Sequence, residues 1–393
     1  MQWLLGSSTV PSDVNARSSI VAVVYIAVVA ACVFVLQPGY VQGLVEYLAL
    51  SEEQAGYIAS AEMFGIALIT FLLIFIAERC DWRKLTALCL IVAAAGNLLS
   101  LSLTDFESLA LVRFISGIGS GGLMSLTFAM MGLTRQSDRN FGYLITWVLI
   151  YGALGILVMP SAFAGIGMNG VLIFFALFNI SGLFCIRHLP RSGSQRPHAP
   201  TAPTGDYSWR LKGLSLVAIL VYNISIGIVW AYLFLLGLEV GIGEQTVANV
   251  LTVSQFLGIG GAFVAVVLQL RIGRIIPVQV SIIGTALGIY LLVGEIALFH
   301  FALGVCLFNF LWNVSMPYLL ATMASFDPQG RVVLYGICLQ TAGYAIGPFI
   351  AATLLGAGSY DHIYTVATLL FLASAALLLP GLFAQKKRLI PGG

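Results

Sequence analysis

Charge is what this chain has least of. Only 9% of its 393 residues are Asp, Glu, Lys or Arg, where a soluble domain carries about 25%. So few charged groups leave a soluble fold without enough polar surface to cover itself. Histidine is also scarce, at four residues. His188, His198, His300 and His362 show no metal-ligand spacing. The six cysteines form no CxxC pair and read as small packing residues, so neither a disulfide framework nor a metal site is expected. No catalytic triad and no phosphate-binding P-loop is found, so an enzyme is not expected, and the lack of a P-loop argues against an ATP-driven pump. No cofactor, metal or nucleic-acid partner is expected. The first nineteen residues, with Pro11 and Asp13, lack the short apolar core and small-residue site of a cleaved leader.

What is there is apolar sequence. Hydrophobic residues make up 60% of the chain, and the mean hydropathy is +1.00. A membrane span needs about 20 apolar residues. Runs of that kind fall at 20–45, 54–77, 85–103, 108–134, 141–164 and 169–187, and again at 212–238, 245–270, 276–296, 299–325, 332–356 and 361–384. Between the two sets lies RHLPRSGSQRPHAPTAPTGDYSWRLK, rich in Pro, Ser and Arg, which reads as a solvated linker. The expected organisation is a lead over 1–19, a six-helix bundle over 20–187, a linker over 188–211, a second six-helix bundle over 212–384 and a basic tail over 385–393. The fold class is all-α integral membrane, with twelve transmembrane helices in two pseudo-symmetric bundles.

The charges that remain test this topology. With the N-terminus in the cytoplasm and every run crossing, all Lys and Arg residues except Arg113 fall in cytoplasmic segments. The opposite loops collect Glu46, Glu52, Glu53, Asp105, Glu107, Glu239, Glu244, Glu295 and Asp361. That is the positive-inside pattern for an even number of spans with both termini inside.

Arg113 is the exception, and it lies in the fourth run, LALVRFISGIGSGGLMSLTFAMMGLT. Ionisable side chains inside hydrocarbon are costly and mark pathways or coupling sites. Counted from the outer end of its run, Arg113 lies ~8 Å deep and Glu62 of the second run ~13 Å deep at helical rise. The two form a candidate charge pair if their helices touch, and protonating Glu62 would then release Arg113. The alternative is a permanent structural pair, or an arginine reaching outward to the headgroups beside Asp105 and Glu107. Gly117, Gly119, Gly121 and Gly122 follow Arg113. They fit the G-x-G-x-x-G pattern, but inside a spanning helix they read as close helix packing and not as a dinucleotide loop. Prolines at Gln37-Pro38-Gly39, Pro317 and Pro348 are expected to interrupt the first, tenth and eleventh spans.

The halves echo each other. Tyr151-Gly152-Ala153-Leu154-Gly155 is similar to Gly343-Tyr344-Ala345-Ile346-Gly347-Pro348, and basic loops follow the second and eighth runs (Glu78 to Lys84; Arg271 to Arg274). A duplicated six-helix unit predicts this. Six plus six runs, a central linker and a charged loop after the second run resemble the major facilitator superfamily. Arg113-Phe-Ile-Ser-Gly117-Ile-Gly119 is similar to that family's fourth-span Arg-x-x-x-Gly-x-Gly, linked there to proton coupling. Glu78, Arg79, Arg83 and Lys84 match the acidic-basic part of its loop between spans two and three, which acts as a conformational latch. Ile74 and Asp81 stand where the family has glycine. The resemblance implies a cavity built from spans one, four, seven and ten. Those spans supply Tyr25, Gln37, Tyr40, Met124, Tyr222, Asn223, Trp230, Asn309, Trp312 and Asn313. The asparagines are open to a second reading as glue between helices. The implied activity is alternating-access transport of a small, neutral or amphipathic organic solute, coupled to protons through Arg113 and Glu62, by a monomer in the plasma (inner) membrane. Facilitated diffusion of a small solute and lipid flipping are the alternatives.

Overall fold

In lipid every backbone N–H and C=O needs a partner within the protein, and a chain this apolar meets that need by forming helices. The computed structural model describes residues 13–192, 207–268, 273–326 and 331–389. Most of the expected linker, the first twelve residues, Arg271 and the last four residues lie outside that set, as does the Glu78 side chain. The helices are α1 (Arg17–Ala30), α2 (Gln37–Leu48), α3 (Glu52–Ile76), α4 (Trp82–Leu99), α5 (Phe106–Gly132), α6 (Ser137–Ser181), α7 (Trp209–Glu239), α8 (Glu244–Leu268), α9 (Ile275–Tyr290), α10 (Leu298–Ala324), α11 (Arg331–Ala357) and α12 (Tyr360–Leu389). Among the described residues, nine helices are long and apolar enough to cross a membrane, and ten if the bent pair α1 and α2 counts as one span. The chain divides into two compact units, Met1–Ala199 and Pro200–Gly393.

Helix starts follow from the few polar residues near the loops. Ser51 and Gln54 form a reciprocal capping box at α3, each side chain bonding the other's backbone N–H at 3.1 Å. Asp81 accepts from the N–H groups of Arg83 and Lys84 at α4. Asp105 accepts from the N–H of Ser108 at α5. Asp81 stands where the resembled loop has glycine, and here it caps and starts the helix of the third run.

Two elements depart from a simple run of spans. The first span bends by 46° between α1 and α2. The break falls at Ala31–Val33, one turn before the Gln37-Pro38-Gly39 sequence expected to interrupt it. Pro38 itself lies in the first turn of α2, where its missing N–H has no helical partner to lose. The second is α6. As one straight helix its 45 residues would extend ~68 Å, more than twice a bilayer core. Instead the backbone turns at Gly167, with φ 64° and ψ −179°. The rings of Tyr151 and Phe178 stack at 5.4 Å, so the two arms run back along each other. These arms correspond to the runs at 141–164 and 169–187. α9 ends at Tyr290, six residues short of its expected run.

Candidate functional site

Arg113 lies on α5 and is completely buried; Glu62, on α3, is 2% exposed. Two contacts join them. Arg113 Nη2 donates to Glu62 Oε1 at 2.6 Å, and Nε donates to Oε2 at 3.2 Å. This is a forked guanidinium–carboxylate pair, the geometry in which arginine binds a carboxylate most strongly. The third side comes from α4, where Asn97 Oδ1 accepts from Nη1 at 2.8 Å. The Tyr40 ring of α2 lies 5.3 Å from the guanidinium carbon, within cation–π range.

The glycines explain how three helices come so close to one side chain. A Cβ on Gly117 would collide with the backbone carbonyl of Glu62, and one on Gly65 with the carbonyl of Phe114. A Cβ on Gly121 would also come too close to the backbone of Ile66. These three glycines hold α3 against α5. Gly119 and Gly122 face the other way, toward Ala93 and Cys89 of α4, and Gly96 of α4 lies against Ser116. The glycine run after Arg113 is therefore a two-sided packing surface. It seats α3 and α4 so that Glu62 and Asn97 both reach the arginine.

More polar groups are buried around this cluster. Cys32, in the break of the first span, lies within electrostatic reach of Glu62 and Arg113 and beside Asn179. Tyr151 lies within reach of Cys32. Gln37 Nε2, Tyr40 Oη, Tyr151 Oη and Asn179 Oδ1 are buried and meet no hydrogen-bond partner among the described residues.

The other residues named from sequence fall into separate places. Tyr25 bonds Ser181 Oγ at 2.6 Å and meets Phe178 edge-on. Met124 packs against the apolar core of the N-terminal unit. In the C-terminal unit, Trp230 and Trp312 are in edge contact at 6.0 Å, and Trp312 meets Tyr344 at 6.2 Å. Asn309 donates to Ser254 Oγ, Asn313 to the carbonyl of Asn309, and Asn223 to the carbonyl of Ile219. Tyr222 is fully buried, bonds Ser315 Oγ and meets Phe371 edge-on. In the loop before α4, Arg83 Nε donates to the carbonyl of Leu189 at 2.6 Å, and the Trp82 N–H to that of Arg191 at 2.9 Å. The loop is thereby tied to the end of the sixth run, while Arg79 is exposed. Nothing in the sequence singles out Asn97, Tyr151 and Asn179 as members of this cluster. A lone amide or phenol in an apolar run carries no spacing signal that says what it faces.

A family model described as Major Facilitator Superfamily matches residues 22–338. No curated protein matches the sequence. Among solved structures, the chain is similar to a crystal structure of a single-substitution mutant of the nucleoside transporter NupG. The TM-score is 0.73 at 13% identity, covering 92% of this chain and 99% of that one. A second crystal structure, of nucleoside transporter NupG, matches with a TM-score of 0.66 at 13% identity, covering 93% and 99%. At such identity the likeness speaks for the fold alone.

Proposed function

Because the chain belongs to the Major Facilitator Superfamily, we propose that it is a proton-coupled secondary transporter of a small neutral or amphipathic organic solute, working by alternating access. The observation that carries this reading is the forked Glu62–Arg113 pair, a buried ion pair in a chain only 9% charged. A proton on Glu62 would cancel the carboxylate and leave Arg113 to Asn97 and the Tyr40 ring. The two helices would then hold each other less tightly, and this is how protonation would bias the unit between conformations. The shortage of charge speaks for an uncharged solute. Trp230, Trp312, Asn309 and Asn313 offer flat apolar walls with a few amides, which suits an aromatic ring bearing hydrogen-bonding groups. Gln37, Tyr40, Asn223, Tyr222, Tyr25 and Met124 complete the proposed substrate set, and Glu78, Arg79 and Arg83 the latch.

The proposed topology is twelve spans in two six-helix bundles, over 20–187 and 212–384 with the linker 188–211 between them. It counts α1 with α2 once, α6 twice about Gly167, and the short α9 once. Both termini are cytoplasmic, the membrane is the plasma (inner) membrane, and the working unit is a monomer.

The test is uptake into proteoliposomes with an imposed pH gradient, over a panel of neutral aromatic solutes. Uridine belongs in that panel because nucleoside transport is the activity in the names of the structural neighbours. Saturable flux that rises with the gradient and loses its gradient dependence in Glu62→Gln is expected. Saturable flux that ignores the gradient would leave facilitated diffusion. Lipid translocation with no solute flux would replace both with a flippase.

A further inference from the structure

The N-terminal unit gathers unpaired polar groups in a place where lipid cannot serve them. Cys32 lies at the break in the first span, where the helix bends by 46°. Beside it lies Asn179, 1% exposed, whose Nδ2 is used by the carbonyl of Phe175 and whose Oδ1 is left over. Tyr151 Oη, from the other arm of the α6 reversal, is near the same cysteine and also has no partner among the described residues. Glu62 and Arg113 also lie within electrostatic reach of Cys32. Tyr40, 1% exposed, lies over the guanidinium with its hydroxyl unpaired, and Gln37, 3% exposed, shares its helix face with Nε2 unpaired. The set contains an amide donor, an amide acceptor and two hydroxyls that can do either. Leaving one such group unpaired in an apolar interior costs more than its hydrogen bond would have gained. Buried donors and acceptors left over in comparable number, on segments that pack around Cys32 and Arg113, are what ordered water bridges in protein interiors.

We propose that the N-terminal unit holds an internal water site, running from Glu62 and Arg113 past Cys32 to Tyr151 and Asn179, and that this chain of water is the path by which Glu62 exchanges its proton. The second half rests on the proton-coupled reading above; the first half does not. The groups facing Glu62 are Arg113 from α5, Tyr40 from α2 and Cys32 from the break, with neutral Asn97 beside them from α4. None of these can carry a proton away by itself. Arginine does not release one at physiological pH, and a phenol and a thiol keep theirs at neutral pH. A mobile water is the relay that remains.

The experiment uses the whole chain in detergent or lipid, and hydroxyl radicals generated in situ by X-ray pulses. Such radicals label a buried side chain where water lies next to it. Cys89 is the internal control: it is 5% exposed and packed in the apolar core. Labelling of Cys32 well above Cys89 is expected, and equal labelling of the two would overturn the site. A second measurement does not depend on cysteine. Tyr151→Phe removes one unpaired atom while keeping shape; Asn179→Leu removes the other together with the Nδ2 bond to the Phe175 carbonyl, so the melt is read on Tyr151→Phe and the labelling on both. If water pairs the Tyr151 hydroxyl, Tyr151→Phe melts lower, by about 2–4 °C, and Cys32 labelling drops in both variants. If nothing pairs it, Tyr151→Phe melts higher, because a buried orphan has been deleted, and the proposal fails. The path is read from uridine uptake, or that of whichever panel solute is carried. The double variant should lose gradient-driven uptake but keep solute exchange at equal pH. Water at Cys32 with unchanged driven uptake in the double variant would remove the path. A wild type indifferent to the gradient would remove the coupling reading instead, with the labelling result standing.

Discussion

Arg113 is held by a carboxylate, an amide and an aromatic face, and these contacts are not equal. A buried charge that loses its counter-charge is destabilising by about 3–5 kcal/mol, more than the intact pair contributes over an apolar replacement. Glu62→Leu and Arg113→Met should therefore each lower the melting temperature strongly. The double variant should recover much of the loss, and a thermal melt of the four proteins measures this. A double variant as unstable as the sum of the singles would mean that the pair carries more than its own neutralisation. Asn97→Leu removes one bond to a charged group, a loss of about 1.5–3 kcal/mol, so it should be milder than either. A residue further out gives a pH signature. Asp105 is exposed, and its carboxyl is held below the usual range because Ser108 donates to it from both hydroxyl and backbone. A depressed carboxylate pKa contributes stability that is present above the unfolded value of about 3.9 and is lost as pH falls through the lower folded value. Asp105→Ala should speed amide hydrogen exchange in the first turn of α5 at neutral pH, and the difference from the parent should vanish in acid. Arg113 and Glu62 are readable from sequence because an ion in an apolar run is conspicuous. Asn97 is not, since its importance comes only from the helix that α5 brings beside it.

At the scale of the helix, glycine decides what can touch. Gly117 packs directly on the backbone of Glu62, so Gly117→Ala must push α3 and α5 apart at the ion pair. Gly132, at the other end of α5, has nothing within 4 Å of an added Cβ. There alanine fits freely and removes backbone entropy from the unfolded chain, a gain of about 0.5–1 kcal/mol. The expected outcome is a strongly lowered melting temperature for Gly117→Ala and an unchanged or slightly raised one for Gly132→Ala. Equal effects would show that α3 and α5 are not held at van der Waals distance. The glycine run is readable as a packing surface from its spacing. Which glycine faces which neighbour is not, because that depends on the rotation of α5 between α3 and α4. The bend of the first span shows the same limit. Proline marks where a helix lacks a donor, yet the break lies upstream at Ala31–Val33 and Pro38 begins the next segment. The reversal of α6 hangs on Gly167, in backbone territory that only glycine enters without strain. Apolar periodicity is the same on both sides of it, so the turn is marked by little more than the local glycines.

At the scale of the molecule, the two units repeat one packing rule with different chemistry. Gly65 meets the carbonyl of Phe114, and Gly261 meets the carbonyl of Phe310 in the same way; both residues of the second contact lie 196 positions after those of the first. In that register Glu62 corresponds to Gly258 and Arg113 to Asn309. The ionic pair of the first unit thus has an uncharged counterpart in the second, where Asn309 turns to Ser254 and Asn313 lies over Gly258. The repeat itself is faint in sequence because backbone packing was kept while side chains diverged. Hydrogen bonds within each unit also tie neighbouring loops and helix ends together. Asn15 accepts from the N–H of Arg135, and Arg83 donates to the carbonyl of Leu189. Arg274 donates to Gln385, which reaches the carbonyl of Thr322, while Asp361 accepts from the N–H of Gly294. These bonds join segments that carry Lys and Arg to one another, and the turn before Glu295 to the Asp361 end of α12. If the positive-inside rule orients this chain, single cysteines in a cysteine-free background will sort by side. Arg135→Cys and Lys386→Cys, both at exposed positions, should resist a membrane-impermeant maleimide on intact cells and react once the cells are opened. Glu107→Cys and Asp361→Cys, exposed as well, should react at once. The reverse pattern would mean an inverted protein. Disagreement between Arg135 and Lys386 would mean an odd number of crossings between them, and Arg113 would then no longer be the one basic residue left outside the cytoplasmic set.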